Sequence, residues 1–479
     1  MADLADAGVK HSEIVPPVSC IDSFDGEDGY GAHMPSRSLH QGPVQPATSR
    51  PPRPGPRRFL FLQGPISPVF AEVAAGLAAL GHEVHRINLS LGDRLFWGRV
   101  PGARPAQDYQ GTASAWPGHI AAFLDDHAIT DLLLLGEQRP YHRAAIAAAR
   151  ARGVAVAVTD FGYFRPDWVT LERDGMGGDS HFPRQPAAIH ALAASLPPAD
   201  LTERYRDDFA LQARWDVLYH LANLAPWPFR HYESHQLQHP VATYWGIGRR
   251  LLRRGREVAE GHRALDRIGT APFWLFAMQM ETDFSVRAYS PYPDLDTAIT
   301  EVLGSFARHA PAAAHLLVKV HPLDPCLKRW DRRVARMAAA AGVPGRVHVA
   351  HHGPLDLMLQ GARGLITINS TVGLRALVLG RPAKALGQAV WDVPGLAHQG
   401  RLDNFWADTE LPGAALPDPA LRDAFLGALQ GSTQLRGVFY GTAGRAIAVQ
   451  AIVEALDADR VGPPLPRQPA CTCAGSSGP

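Results

Sequence analysis

From residue 58 onward the chain alternates short apolar runs with longer stretches whose apolar residues recur at helical spacing. RFLFLQG (58–64), HEVHRINL (82–89), ITDLLLLG (129–136) and VAVAVTD (154–160) read as buried strands. Between them PVFAEVAAGLAALG, AWPGHIAAFLDDH and YHRAAIAAARARG carry the period of amphipathic helices, and the first and third stop at a glycine. Strands buried on both faces read as continuous apolar runs, and their alternation with helices predicts a parallel sheet covered on both sides. A second series begins at PFWLFAMQ (272–279) and continues through AHLLVKVHP, RVHVAHH and GLITINS, with TAGRAIAVQAIVEALDADR as the last helix. The pattern predicts an α/β protein with two Rossmann-like doubly wound domains facing a cleft.

Composition divides the chain further. Residues 1–56 run into HQGPVQPATSRPPRPGPRR, and 461–479 end in VGPPLPRQPACTCAGSSGP; neither has the apolar content to fill a core, so both are expected to be disordered. The N-terminal domain is expected over 57–240, a basic helical linker over 241–265, and the C-terminal domain over 266–460. A net charge of +1 provides no global field for nucleic acid. The four cysteines, Cys20, Cys326, Cys471 and Cys473, have no metal-site or stapling pattern. The beginning of the chain lacks the features of a secretory signal and the apolar runs are too short to span a bilayer, so a cytoplasmic protein is expected. The run GRRLLRRGREVAEGHR, with Trp227 and Trp245 nearby, fits either a solvated helix face or contact with an anionic membrane.

In open α/β sheets ligands bind beyond the carboxyl ends of the strands, so polar residues just after strands are the candidates. Gln63 and Gly64 follow the first strand, and Arg139 and His142 open a helix after the third. Arg139 suits two-pronged pairing with a carboxylate or phosphate. VTDFGYFRPDWVTLERDG (158–175) reads as a strand followed by a loop, with Asp160, Tyr163, Arg165 and Glu172 facing one cleft. Two acids beside a cleft can supply nucleophile or base chemistry at a sugar carbon. In the second series Gln279, Asp283 and Arg287 follow its first strand. Lys319, His321 and Pro322 end the next, and Asn369, Ser370, Thr371 and Gly373 open a helix after GLITI. Cations beside hydroxyls at a helix start suit a phosphate, which suggests a nucleotide pocket. Walker A, Gly-x-Gly-x-x-Gly, His-Glu-x-x-His and Gly-x-Ser-x-Gly patterns are all lacking, so the common triphosphate, dinucleotide, metalloprotease and esterase chemistries have no support.

FLQGPISPVF, LGDRLFW, GEQRPYHRAAI, GYFRPDWVTLERDGMGGDS, FAMQMETDFSVRAYSP, VKVHPLDP and INSTVGLRAL occur in this order. The chain resembles the capsule polysaccharide biosynthesis and export family, most closely its KpsS-like branch of β-Kdo transferases. The resemblance implies a GT-B-like glycosyltransferase that retains configuration. It implies CMP-β-Kdo, a cytidine monophosphate carrying an acidic eight-carbon sugar, as donor, with no tightly bound cofactor and no metal. It also implies a lyso-phosphatidylglycerol acceptor, an association with capsule synthesis and export machinery, and a peripheral position on the cytoplasmic face of the inner membrane. By the same resemblance His321, with Lys319, Ser370 and Thr371, would hold the nucleotide, and Asp160 or Glu172 would be the nucleophile. The acidic block of the family carries two adjacent acids where this chain has Asp160-Phe161. A catalytically weak export-associated protein and a transferase for another CMP-sugar stay open as alternatives.

Overall fold

The computed structural model describes residues 55–225 and 227–464. The expected disordered head and tail therefore lie almost wholly outside the described residues, as do Cys20, Cys471 and Cys473.

The first sheet is built by β1 (Arg58–Phe61), β2 (Glu83–Asn88), β3 (Gln107–Asp108), β4 (Asp131–Leu135), β5 (Ala155–Phe161) and β6 (Trp168–Arg173). The connecting helices are α1 (Val69–Ala79), α2 (Leu91–Trp97), α3 (Trp116–Asp126) and α4 (Pro140–Ala151). The two-residue period of a strand sends alternate side chains to opposite faces. Phe59, Phe61, Leu133 and Leu135 thus join a core under α1, while Leu60, Leu62, Leu132 and Leu134 join one under α3 and α4. β1 to β5 pair in parallel, in the order β5-β4-β1-β2-β3.

The stretch after β5 is not the expected loop. It turns back as β6, antiparallel to β5, with Asp160 opposite Thr170 and Val158 opposite Glu172. The alternating segment WVTLER has the β-branched and aromatic content of a strand.

Three helices follow: α5 (Pro186–Ala193), α6 (Phe209–Asn223) and α7 (Pro240–Ile268). The basic stretch 241–265 lies inside α7, a single helix of 29 residues.

The second sheet comprises β7 (Phe273–Ala277), β8 (His315–Lys319), β9 (Val347–Ala350), β10 (Leu365–Thr367) and β11 (Ala383–Ala385). They are all parallel, in the order β11-β10-β7-β8-β9. Its helices are α8 (Phe284–Tyr289), α9 (Leu295–His309), α10 (Trp330–Ala340), α11 (Leu355–Gly361) and α12 (Val372–Val378). Trp274 and Phe276 face one core and Phe273 and Leu275 the other.

The chain then runs through α13 (Leu402–Asp408), α14 (Pro419–Thr433), β12 (Gln434–Arg436) and α15 (Thr442–Asp457). Here the structure departs from a C-terminal unit running unbroken over 266–460. β12 adds antiparallel to β6 at the edge of the first sheet, and Ile452, Val453 and Leu456 of α15 enter the first-sheet core. The apolar stripe of α15 is buried there, so the last helix completes the first domain. Two α/β domains face each other across a cleft and are tied by a returning C-terminal helix.

Candidate active site

The carboxyl ends of both sheets open onto one cleft of about 630 Å³, lined from the first domain by Glu137, Arg139, Asp160, Tyr163 and Arg165 and from the second by Lys319, His321, Ser370 and Thr371.

On the first wall, β4 ends at Leu135 and the chain turns at Gly136, whose φ of +67° suits glycine. The Gly136 N–H donates to the Thr159 carbonyl at 3.0 Å, which keeps the ends of β4 and β5 side by side. Glu137 and Asp160 are therefore neighbours, one from each strand end. The Asp160 carboxylate accepts the Phe161 N–H at 2.7 Å. Burial pushes its pKa up, against the pull of that bond, Arg165 and Arg139. Glu137 is 6 % exposed. Its Oε1 accepts the Tyr289 hydroxyl, which reaches across from α8, while Oε2 is buried with no partner among the described residues. Burial raises the Glu137 pKa to about 7; the Tyr289 bond opposes the rise, and Asp160 and Asp179 add to it.

Glu172 lies behind this wall. It is fully buried, takes the Tyr163 hydroxyl at 2.7 Å and is bonded to Ser180. Burial raises it too to about 7. Glu172 does not line the cleft: it shares a sheet face with Thr170 but sits two residues further from the strand end, covered by Tyr163 and Ser180, so the expected second cleft acid is not this residue. Tyr163 lines the cleft with its ring while its hydroxyl serves Glu172 and the Gly177 N–H, the latter at 2.8 Å.

Five other expected residues are also away from the cleft. Gln63 is buried and donates to Asp93 at 3.0 Å and to the Tyr232 hydroxyl at 3.2 Å, tying β1 to α2. Gly64 packs on Phe70, whose ring lies 2.5 Å from where a Cβ would stand. His142 is fully buried with Nδ1 2.7 Å from the Gly136 carbonyl; burial lowers its pKa to about 3, so it is a neutral structural group. Arg287 is exposed over the Phe284 ring. Gly373 is likewise a packing residue: a Cβ there would stand 2.0 Å from the Trp391 ring.

On the second wall, β8 delivers Lys319 at its last residue, and the chain turns through His321 and Pro322. His321 Nδ1 accepts the Leu323 N–H at 3.1 Å. That bond assigns the ring proton to Nε2, which is then a neutral donor. Burial, with Arg165 and Lys319 nearby, lowers its pKa to about 4, so His321 is neutral near pH 7. Ser370 and Thr371 lie at the start of α12, which has only seven residues and a correspondingly weak dipole. Their hydroxyls matter more than the helix end. Gln279 and Asn369 exchange hydrogen bonds, both at 2.9 Å; they stiffen the floor of the cleft. Asp283 caps α8 by accepting the Ser285 N–H at 3.0 Å and borders the same space.

Arg250 is not on the exposed face that its basic neighbours suggest. It is 6 % exposed and donates to the carbonyls of His321 at 3.2 Å, Pro322 at 2.7 Å and Asp324 at 2.7 Å. It also pairs with Glu257 at 3.1 Å. One guanidinium of α7 thereby holds the whole His-Pro turn in place.

Sequence reasoning missed Glu137 and Tyr289, which line the cleft, and the burial of Arg250, which holds the turn beside it. Glu137 had a usable signal, since it is polar and follows an apolar strand by two residues. Tyr289 and Arg250 had none, because their partners are distant in the chain. Phe161, next to Asp160, packs edge-on against Phe439 at 5.4 Å and stacks on Tyr440 at 6.1 Å. The second carboxylate beside Asp160 is Glu137, from the neighbouring strand. Among the described residues no three His, Cys, Asp or Glu side chains are grouped to hold a metal ion.

Residues 130–440 match the family model described as "Capsule polysaccharide biosynthesis protein". The chain is 29% identical over 396 residues to "Capsule polysaccharide export protein KpsS" of Escherichia coli, covering 80% of this chain and 97% of that protein. It is 29% identical over 392 residues to "Capsule polysaccharide modification protein LipB" of Neisseria meningitidis serogroup A, covering 80% and 91%. Among solved structures it is similar to Thermosulfurimonas dismutans KpsC, "beta Kdo 2,7 transferase", at 14% identity and a TM-score of 0.38, covering 84% of this chain and 100% of that one. The family match spans both walls of the cleft, from β4 with Glu137 to the end of the second domain, and the chain belongs to the capsule polysaccharide biosynthesis protein family.

Proposed function

We propose that the protein is a retaining glycosyltransferase that transfers Kdo from CMP-β-Kdo to a lyso-phosphatidylglycerol acceptor in capsule biosynthesis. The observation that carries this reading is the opposition of two carboxylates, Asp160 and Glu137, to Lys319, His321, Ser370 and Thr371 across one cleft. The four second-domain groups suit a nucleoside monophosphate: a charge, a neutral N–H donor and two hydroxyls. Arg139 and Arg165, on the acid side of the same cleft, suit the carboxylate that distinguishes Kdo from neutral sugars.

In this reading the Asp160 carboxylate attacks the anomeric carbon and forms an ester. The bond from that carbon to the phosphate oxygen breaks, and CMP leaves with its electron pair. Preorganised donors stabilise the charge that develops on the leaving oxygen. An acceptor hydroxyl then attacks the same carbon, the Asp160 ester bond breaks, and the hydroxyl proton passes to Glu137. Two inversions give net retention. A carboxyl with a pKa near 7 is suited to exchanging that proton near neutral pH.

The test supplies purified protein with CMP-β-Kdo and a short-chain lyso-phosphatidylglycerol, and follows CMP release and product mass. The wild type is expected to release CMP and add one Kdo. Asp160→Asn is expected to lose both by about a thousandfold or more, in the range of removing a group that acts in the bond-making step. CMP binding without transfer, for every acidic CMP-sugar offered, would instead favour a catalytically weak export-associated protein.

A further inference from the structure

The α6–α7 segment is built inside out. Twelve of the twenty large apolar side chains exposed among the described residues fall between 201 and 252. Along α7 the buried side carries Gly246, Arg250, Glu257 and Gly261, with Gly246 against Pro325 and Gly261 against the His352 carbonyl. Half a turn away, at intervals of four and seven residues, lie Val241, Trp245 and Leu252, which are 63, 73 and 91 % exposed. Those intervals place all three on one outer stripe. α6 repeats the arrangement: of its fifteen residues only Tyr219 is buried, whereas Leu218 and Leu221 are 46 and 58 % exposed. The Tyr244 hydroxyl donates to Asp216 at 2.7 Å and links the two helices.

Two further features say what covers these exposed side chains. Exposed Arg253 and Arg256 flank the α7 stripe, and no exposed acid accompanies them before Glu260. Phe209 at the start of α6 and Arg254 of α7 line the cleft itself, so the apolar surface runs to its mouth. Protruding leucines and a tryptophan with arginines alongside have the chemistry of an interfacial helix, whose apolar side enters the acyl boundary while its cations meet lipid phosphates.

We propose that the outer ridge of α6 and α7 docks the protein on an anionic lipid bilayer and holds the cleft mouth at the head-group layer. The docking goes beyond the transferase reading and is independent of it; only the presentation of a lipid acceptor to the cleft rests on that reading. Among the described residues no helix is long and apolar enough to cross a membrane, and the ridge requires only insertion at the surface.

The experiment is vesicle flotation of the full chain, without donor sugar, using phosphatidylcholine vesicles with and without about one third phosphatidylglycerol. The wild type is expected to float with the anionic vesicles and to bind neutral ones at least tenfold less. Trp245→Ser/Leu252→Ser is expected to weaken anionic binding tenfold or more, and Arg253→Gln/Arg256→Gln to remove the preference for phosphatidylglycerol. All four side chains are outside the cleft, so CMP affinity and thermal midpoint should match the wild type and report intact folding. A blue shift of tryptophan emission on vesicle addition, absent in Trp245→Ser, is a second readout. Unchanged flotation of the Trp245/Leu252 variant overturns the proposal. So does a wild type that ignores vesicles but sediments as a dimer dispersed by the same substitutions, because a second copy would then cover the ridge. Normal flotation without Kdo transfer leaves the docking standing and removes only the transferase reading.

Discussion

Replacing Arg250 with methionine tests whether α7 organises the nucleotide side of the cleft. Methionine keeps an unbranched apolar stem in the space but removes every donor. The carbonyls of His321, Pro322 and Asp324 lose their shared partner, and Glu257 keeps only His352, at 3.3 Å. A buried acceptor left unpaired costs about 1–3 kcal/mol, and breaking a buried ion pair from one side costs about 3–5 kcal/mol. These terms overlap, because the His-Pro turn can relax toward water, so about 3–5 kcal/mol in total is expected. Urea unfolding followed by tryptophan fluorescence measures it. Loss of the ordered turn should also weaken CMP binding about tenfold by calorimetry, which corresponds to about 1.4 kcal/mol. Adding Glu257→Gln removes the stranded charge, so the double variant should be more stable than Arg250→Met alone, by about 1–2 kcal/mol. The pH dependence is a further check. Burial pushes Glu257 up, but His352 and Arg250 outweigh it and hold its pKa below the ordinary 4.5. A depressed carboxyl contributes stability above its unfolded pKa and loses it as pH falls through the folded value. The gap between wild type and Arg250→Met should therefore narrow below about pH 4. An Arg250→Met protein within about 1 kcal/mol of wild type, with unchanged CMP affinity, would refute the reasoning.

Three other substitutions probe the cleft. Glu137→Gln should reduce transfer at least a hundredfold, the scale of lost acid–base help. It should also flatten stability between about pH 4.5 and 7, because a carboxyl raised to about 7 binds more protons folded than unfolded, and stability falls as pH rises through that window; an unchanged pH–stability curve would count against the buried carboxyl. Glu172→Gln should cost stability through the Tyr163 and Ser180 bonds while leaving transfer by the folded fraction within about tenfold of wild type, whereas a loss of about 10³ would make Glu172 the nucleophile in place of Asp160. His321→Ala should raise the CMP dissociation constant about tenfold, the loss of a hydrogen bond to a charged group; because His321 is neutral above its pKa of about 4, that effect should not vary between pH 6 and 8 in titration calorimetry.

Much of the architecture was legible because it is written in local periodicity. RFLFLQG and ITDLLLLG are apolar on both faces, and a strand with that pattern has to be buried between two helical layers. The rule that polar residues beyond strand ends face a ligand placed Asp160, Arg139, Lys319 and His321 on the cleft. The same rule applied to Gln63 and Gly64 failed, since the space beyond β1 is filled by Asp93, Phe70 and Tyr232 from elsewhere in the chain.

What the amino-acid sequence determined by itself was the set of strands and helices, the two-sheet class and the chemical inventory of the cleft. The tertiary structure alone decided which carboxylate stands beside Asp160. The β6 hairpin places Glu172, twelve residues from Asp160 in sequence, deeper on the same sheet face and under Tyr163 and Ser180, while the pairing of β4 with β5 brings Glu137 alongside. It also decided that Arg250 is buried among exposed arginines, and that α15 closes the first domain instead of the second. Each of these depends on contacts between residues far apart in the chain, whose pairing is set by how the sheets and helices pack and leaves no mark in local periodicity.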